Sequence, residues 1–257
     1  MTSGLAHALR PQSAGRRGTE SSFILDFVDP AEVLLRTPIF RDLTRRDVQQ
    51  LLPELRQRVY ARGESVWLEG DPADALFVIV QGQLKSYRVS REGGEVIVLL
   101  NLSGEVAGEV GLFHPSGVRQ VSVSAMEPTL CLILAKRPLL AFMTRHPPAM
   151  ERMLERLSEV AVKAAYSFTG VAFDDIRRRV AHALLTLSDE FGVPTAAGVR
   201  IRLRLSQSTL AALVAASREN VNRALSAYVS AGVVSQQDGY FVIHDRSVLE
   251  ADVSELP

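Results

Sequence analysis

Cys131 is the only cysteine in 257 residues. An intrachain disulfide, a CxxC pair and a Cys-ligated zinc or iron–sulfur centre are therefore excluded. The five histidines are scattered without ligand spacing, so no metal site is expected. Apolar runs such as LFVIV and VIVLL fall far short of the roughly 20 residues that a membrane span requires, and the N-terminus has no apolar h-region. No membrane association and a cytoplasmic location are the expectation. The 29 basic and 29 acidic residues cancel, so overall charge does not announce a nucleic-acid binder, and only its distribution can. Paired acid/base carboxylates, a nucleophile motif and a phosphate-cradling glycine loop are all lacking. The chain reads as no enzyme, with no required cofactor.

A 47% hydrophobic content over this length fills one large core or two ordinary ones. Residues 1–22, MTSGLAHALRPQSAGRRGTESS, have no apolar period and read as a disordered arm. A helical pair follows, DPAEVLLRTPIF then TRRDVQQLLPELR, with Asp29 and Thr44 as N-caps. From about residue 56 the period becomes 2 in ESVWL, ALFVIVQ, QLKSYRVS, EVIVLLN, RQVSVSA and LCLILA, with glycine-bearing turns between. Short strands of this kind form an antiparallel sandwich or roll, and Cys131 within LCLILA reads as a buried thiol on a strand.

Past RHPP the period turns helical. Met150, Leu154, Leu157, Ala161, Ala164, Phe168 and Val171 form a heptad seam. A helix packed on its own domain would show a similar stripe; the small residues Ala161 and Ala164, which permit close backbone approach, favour a two-fold homodimer. The stretch FDDI, 173–176, reads as a hinge with Asp174 or Asp175 capping the next helix, and Arg177, Arg178 and Arg179 read mainly as a solvated face, with phosphate contact as the lesser alternative.

The remainder reads as helix, strand VRIRLRL, two closely joined helices, a hairpin and a last short helix, the pattern of a winged helix-turn-helix. Ser206 caps the first of the joined helices, where SQST suits a phosphate. Ser217 caps the second, so Arg218, Glu219 and Asn220 fall in its first turn, the part that reaches base edges. Arg218 and Arg223 can fork onto guanine, and Glu219 can accept from cytosine. Val221, Ala224, Leu225 and Tyr228 make the opposite, apolar face. Arg200, Arg202 and Arg204 are either a basic stripe for phosphates or a charged edge that discourages aggregation.

The motifs EGDPADALFVIVQGQLK, SGEVAGEVGLFHPSGVRQ and SRENVNR resemble those of the cyclic-AMP receptor protein and FNR (CRP/FNR) family of bacterial transcription regulators, from about residue 35 to 248. The resemblance implies an α+β chain: an N-terminal cyclic-nucleotide-binding-type β-roll (jelly-roll-like) over 23–147, a long dimerisation helix and hinge over 148–174, and a C-terminal winged helix-turn-helix over 175–257. It also implies a palindromic double-stranded DNA operator with TGTGA-like half-sites, contacted by Ser206, Gln207, Ser217, Arg218, Glu219, Asn222 and Arg223. RNA polymerase is a further implied partner, with activation and repression both open.

By the same resemblance, Gly108, Glu109, Val110, Arg119, Gln120, Ala164 and Ala165 line an effector pocket. A carboxylate suits a ribose hydroxyl and a guanidinium suits a cyclic phosphate, which fits cyclic AMP or another cyclic nucleotide. Departures are visible: Gln120 stands where the family has Ser or Thr, Ala164 and Ala165 where hydroxyl residues read the base, and Gln207 where the best-known member is basic. A cyclic mononucleotide, a different ligand such as a cyclic dinucleotide, and a ligand-free regulator with a Glu109–Arg119 ion pair all stay open. So does a ligand-sensing module without DNA binding.

Overall fold

The computed structural model describes residues 28–91, 93–173 and 175–254, with the backbone alone for 166–173. The expected arm at 1–22, the hinge residue Asp174, and the side chains of Phe168 and Val171 lie outside the described residues.

Helix α1 (Pro30–Arg36) begins at a proline and is capped by Asp29, whose Oδ1 accepts from the Ala31 amide. Helix α2 (Arg45–Gln49) has a full capping box between Thr44 and Asp47. It is shorter than its sequence pattern: Leu52–Glu54 form a 3-10 turn instead, because Pro53 lacks the N–H that would continue the ladder.

Eight strands and a short helix follow: β1 (Leu55–Tyr60), β2 (Ser65–Trp67), β3 (Ala75–Gln81), β4 (Gln83–Val89), β5 (Glu95–Leu102), β6 (Val106–Ala107), α3 (Glu109–Phe113), β7 (Ser122–Ala125) and β8 (Thr129–Ala135). They form two antiparallel sheets, ordered β1-β8-β3-β6 and β2-β7-β4-β5. Between the sheets lie Tyr60, Trp67, Phe77, Ile79, Leu84, Val123 and Cys131. The period of 2 explains this directly: alternate residues of β3 and β8 point the other way, and Leu76, Val78, Leu132 and Leu134 pack under α1 and the helices after β8. Burial pushes the Cys131 thiol up to about 12.

Helix α4 (Lys136–Arg145) leads into the long helix α5 (Pro147–Phe173). Met150 and Leu157 pack on the roll's own core beside the buried Met153, whereas Leu154 is 60% exposed and Ala161, Ala164 and Ala165 are open to solvent. The stripe read as one seam is thus divided: Met150 and Leu157 face the roll, and Leu154, Ala161 and Ala164 face solvent.

Beyond it come α6 (Ile176–Phe191), β9 (Gly192–Thr195), β10 (Gly198–Ile201), α7 (Gln207–Leu213), α8 (Arg218–Ser230), β11 (Val234–Gln237), β12 (Tyr240–Ile243) and α9 (Arg246–Ser254), with sheet order β11-β12-β10-β9. Asp175 caps α6, accepting from the Arg178 amide. The strand expected over VRIRLRL ends at Ile201 and pairs with the unexpected β9, an edge strand that tolerates Pro194. Val180, Leu184, Leu210, Val221, Leu225, Tyr228 and Phe241 fill this second core, onto which Leu100, Leu102 and Met126 of the roll also pack; α7 rests on β5.

Candidate DNA-reading helix and effector pocket

Ser217 Oγ accepts from the Asn220 amide at 3.3 Å, fixing the start of α8. Val221, Leu225 and Tyr228 are buried, which turns the other face outward. Arg218, Glu219 and Arg223 are exposed, with Arg223 and Glu219 only 3.8 Å apart one helical turn along and more than three-quarters exposed. Such a solvent-screened pair leaves both groups free to take other partners. Asn222 differs: it is half-buried, with Oδ1 enclosed and unpartnered. Ser206 Oγ caps α7 through the Thr209 amide at 3.0 Å, and Gln207 is half-buried beside it.

Arg177 is exposed, but the three arginines of 177–179 are more than a solvated face. Arg177 pairs with Asp252 at 2.9 Å and lies over the Tyr228 ring, Arg178 donates to the Asp252 carbonyl at 3.2 Å, and Arg179 donates to the Val214 carbonyl at 2.7 Å. They tie α6 to α9 and to the turn between α7 and α8. A run of like charges gives no hint of separate partners folded 35 to 75 residues downstream. Arg200, Arg202 and Arg204 are exposed, but only Arg200 lies on a strand; Arg200 and Arg204 flank the Tyr240 ring at 4.1 and 5.5 Å.

In the roll, Glu109 and Arg119 are 2% and 3% exposed, yet they do not bond each other. Arg119 donates to the carbonyls of Gly108 at 3.0 Å and Ala75 at 2.7 Å, and its guanidinium stacks on Trp67 at 4.2 Å. Gly108 makes this approach possible, because a Cβ there would sit 2.5 Å from Arg119 Nη1. Burial lowers the Arg119 pKa, opposed by Asp74, Glu109 and Asp71. Glu109 accepts from Arg156 Nε on α5 at 3.1 Å; burial raises its pKa against the pull of that guanidinium. Gln120 is spent on its own loop, donating to Ser116 Oγ and the Val118 carbonyl. Val110 is 40% exposed on α3, and Ala164 and Ala165 are solvent-facing rather than buried against the roll.

Arg156 is the residue that sequence reading missed. Its place four residues from Arg152 in a polar stretch of helix looks like an ordinary solvated position, and only the fold brings it to a carboxylate 47 residues earlier. The nearby cavity of about 180 Å³ is lined by Pro38, Ile39, Glu105, Val106 and Arg156 among others.

Among the described residues no helix is long and apolar enough to cross a membrane, and no group of side chains could hold a metal ion. A roll joined through a long helix to a winged helix-turn-helix, with an exposed arginine-bearing α8, defines a DNA-binding transcription regulator rather than an enzyme. Comparison agrees: residues 57–146 match the cyclic nucleotide-binding domain and residues 178–252 the Crp-like helix-turn-helix domain. The chain belongs to the CRP/FNR family of transcription regulators. It is similar to the CRP-like cAMP-activated global transcriptional regulator of Mycobacterium tuberculosis, at 28% identity over 88% of this chain and 97% of that one. It is 29% identical to the cyclic AMP receptor protein of Thermus thermophilus, over 83% and 95% of the two chains. Its fold resembles that of the c-di-GMP responsive global regulator CLP of Xanthomonas campestris, with a TM-score of 0.68 and 24% identity over 78% of this chain and 99% of that one.

Proposed function

We propose that the protein is a homodimeric regulator that reads a palindromic operator with TGTGA-like half-sites and responds to a cyclic nucleotide in the roll. One observation carries the reading: Ser217 fixes the start of α8 so that Arg218, Glu219 and Arg223 stand clear of the core, where they can meet guanine and cytosine edges. Two such helices about 34 Å apart would enter successive major grooves. Leu154, Ala161 and Ala164, exposed on α5, supply an apolar face for a second copy. Ser206 and Gln207 at the start of α7 are the phosphate contacts, and RNA polymerase is the partner that activation would require. Cyclic AMP is the first effector to try, because the Mycobacterium and Thermus relatives are named for it and the roll sets a buried carboxylate near a buried guanidinium.

A second reading rests on the way Arg119 is held. Two backbone carbonyls and Trp67 hold its charge, so the roll can keep its shape with no ligand and DNA binding can be constitutive. Fluorescence anisotropy of a palindromic duplex separates the two, with cyclic AMP, cyclic GMP, cyclic di-GMP or none, on the wild type and Arg119→Ala. A gain with one nucleotide that Arg119→Ala loses supports the effector reading. Equal, sequence-specific affinity throughout supports the constitutive one. Equal affinity for all DNA sequences sinks both.

A further inference from the structure

Three side chains of α8 are buried, Val221, Leu225 and Tyr228, and of these only Tyr228 has a polar tip. Apolar packing is non-directional, so Val221 and Leu225 press α8 onto its core without fixing its tilt. The Tyr228 hydroxyl supplies a direction. It donates to Asp252 Oδ2 on α9 at 2.5 Å, with the Arg177 carbonyl 3.4 Å from the same oxygen. Burial and the Asp252 carboxylate push the hydroxyl up to about 12, so it keeps its proton and stays the donor. Asp252 is itself held by the first turn of α6. Arg177 forks onto it, Nε to Oδ2 at 2.9 Å and Nη2 to Oδ1 at 3.4 Å, and Arg178 Nε donates to its backbone carbonyl at 3.2 Å. Leu249, fully enclosed, already anchors α9 in the core, so the carboxylate adds direction rather than attachment. The other end of α8 is tied to the same turn of α6, through Arg179 and the carbonyls of Val214 and Ala215.

We propose that Asp252 is a positioning residue for base reading: through Tyr228 it sets the tilt of α8 and so the place of Arg218 over its base pair. This rests on the reading that Arg218, Glu219 and Arg223 meet base edges in a preferred operator. Arg218 lies ten residues before Tyr228, about 15 Å along the helix axis. A tilt of about 4° at Tyr228 therefore displaces the arginine by about 1 Å, more than the roughly 0.5 Å that a binding geometry tolerates. An arginine fork onto guanine needs both of its bonds, whereas phosphate contacts carry no sequence information. Loosening the brace between Asp252 and Tyr228 thus costs discrimination before it costs affinity for DNA at large.

Fluorescence anisotropy of the full chain tests this, with a TGTGA-type palindrome and a scrambled duplex of equal length, on the wild type, Tyr228→Phe and Asp252→Asn, each checked by thermal melting. The nucleotide condition is the one, among cyclic AMP, cyclic GMP, cyclic di-GMP and none, that gives the wild type its greatest preference. Phenylalanine keeps the packing and removes only the hydroxyl, while asparagine removes the charge from a side chain 21% exposed. Preference for the palindrome is expected to fall about fivefold or more in both variants, a share of what one mismatched base pair costs, with affinity for the scrambled duplex kept within about twofold. Partial unfolding lowers both affinities together, so their ratio reads positioning rather than stability. In an Arg218→Ala background Tyr228→Phe should cost little further discrimination, because both act at one contact. If the phenylalanine variant does not fold, the asparagine variant decides. An unchanged ratio in folded Asp252→Asn, or full additivity with Arg218→Ala, overturns the inference alone. A wild type that binds both duplexes equally under every condition fails the operator reading and this inference with it.

Discussion

Arg179, in the first turn of α6, donates through Nη1 to the carbonyl oxygens of Val214 and Ala215 at 2.7 and 3.3 Å. The turn between α7 and α8 is thus held from a helix that precedes both. At that turn Ala215 adopts φ 48°, the left-handed region, which costs an L-residue roughly 1–2 kcal/mol. Ala215→Gly should relieve that strain at an entropic cost of about 0.5–1 kcal/mol, leaving a net gain of about 0.5 kcal/mol. Urea unfolding would register it as a higher midpoint at unchanged slope; a lower midpoint would show that the turn is not strained.

Arg218→Ala removes the exposed guanidinium nearest the Ser217 cap. The expected result is a loss of roughly 1–3 kcal/mol confined to one base pair of each half-site. Competition among operator variants measures it. Uniform weakening on every sequence would instead make Arg218 a phosphate contact.

These outcomes divide along the line between local and distant interactions. The Asp29, Thr44, Ser206 and Ser217 caps were legible because a cap bonds only two or three residues on, and the strands of the roll because alternation needs no partner to be seen. Arg156 and Arg179 were not, because each finds its acceptor through a fold that no short window contains. The Glu109–Arg119 ion pair, one of the alternatives the sequence leaves open, does not form: carbonyls of Gly108 and Ala75 and the Trp67 ring hold Arg119, and Glu109 accepts from Arg156. Pro53 and the end of β10 at Ile201 mark where pattern gave way to backbone chemistry.

Two glycines of the pocket loop should respond unequally to alanine. Gly108 has φ +96° and a Cβ there meets Arg119 Nη1 at 2.5 Å, whereas Gly117 has φ +68° and open space. Gly117→Ala should cost roughly 1 kcal/mol of backbone strain. Gly108→Ala adds the displacement of a buried guanidinium from its acceptors, for roughly 2–4 kcal/mol in all. Parallel melts compare them, and equal losses would mean that the Arg119 contact carries no stability.

Leu154→Asp places a charge on the exposed apolar row of α5 while leaving the roll-facing Met150, Met153 and Leu157 untouched. Light scattering behind a sizing column is expected to give the proposed dimer for the wild type and a monomer for the variant, and a monomeric wild type would overturn the dimer reading. An unaltered dimer would move the two-fold interface elsewhere.

Cys131 is fully enclosed and its thiol is pushed up to about 12, so almost no thiolate exists at neutral pH. Ellman's reagent should leave it unmodified in native buffer and react fully in denaturant. Rapid native reaction would mean that the two sheets part readily.

The seating of α7 on β5, through Leu100, Leu102 and Met126, makes the connection between the two ends of the molecule a closed linkage. One route runs along α5 and α6, and the other passes directly across the apolar contact. A joint with a single route can swing freely about one pivot, but a closed loop allows only motions that slide or detach the second route. A rotation of α7 and α8 relative to the roll would therefore have to shear α7 over Leu100 and Leu102 or lift it clear.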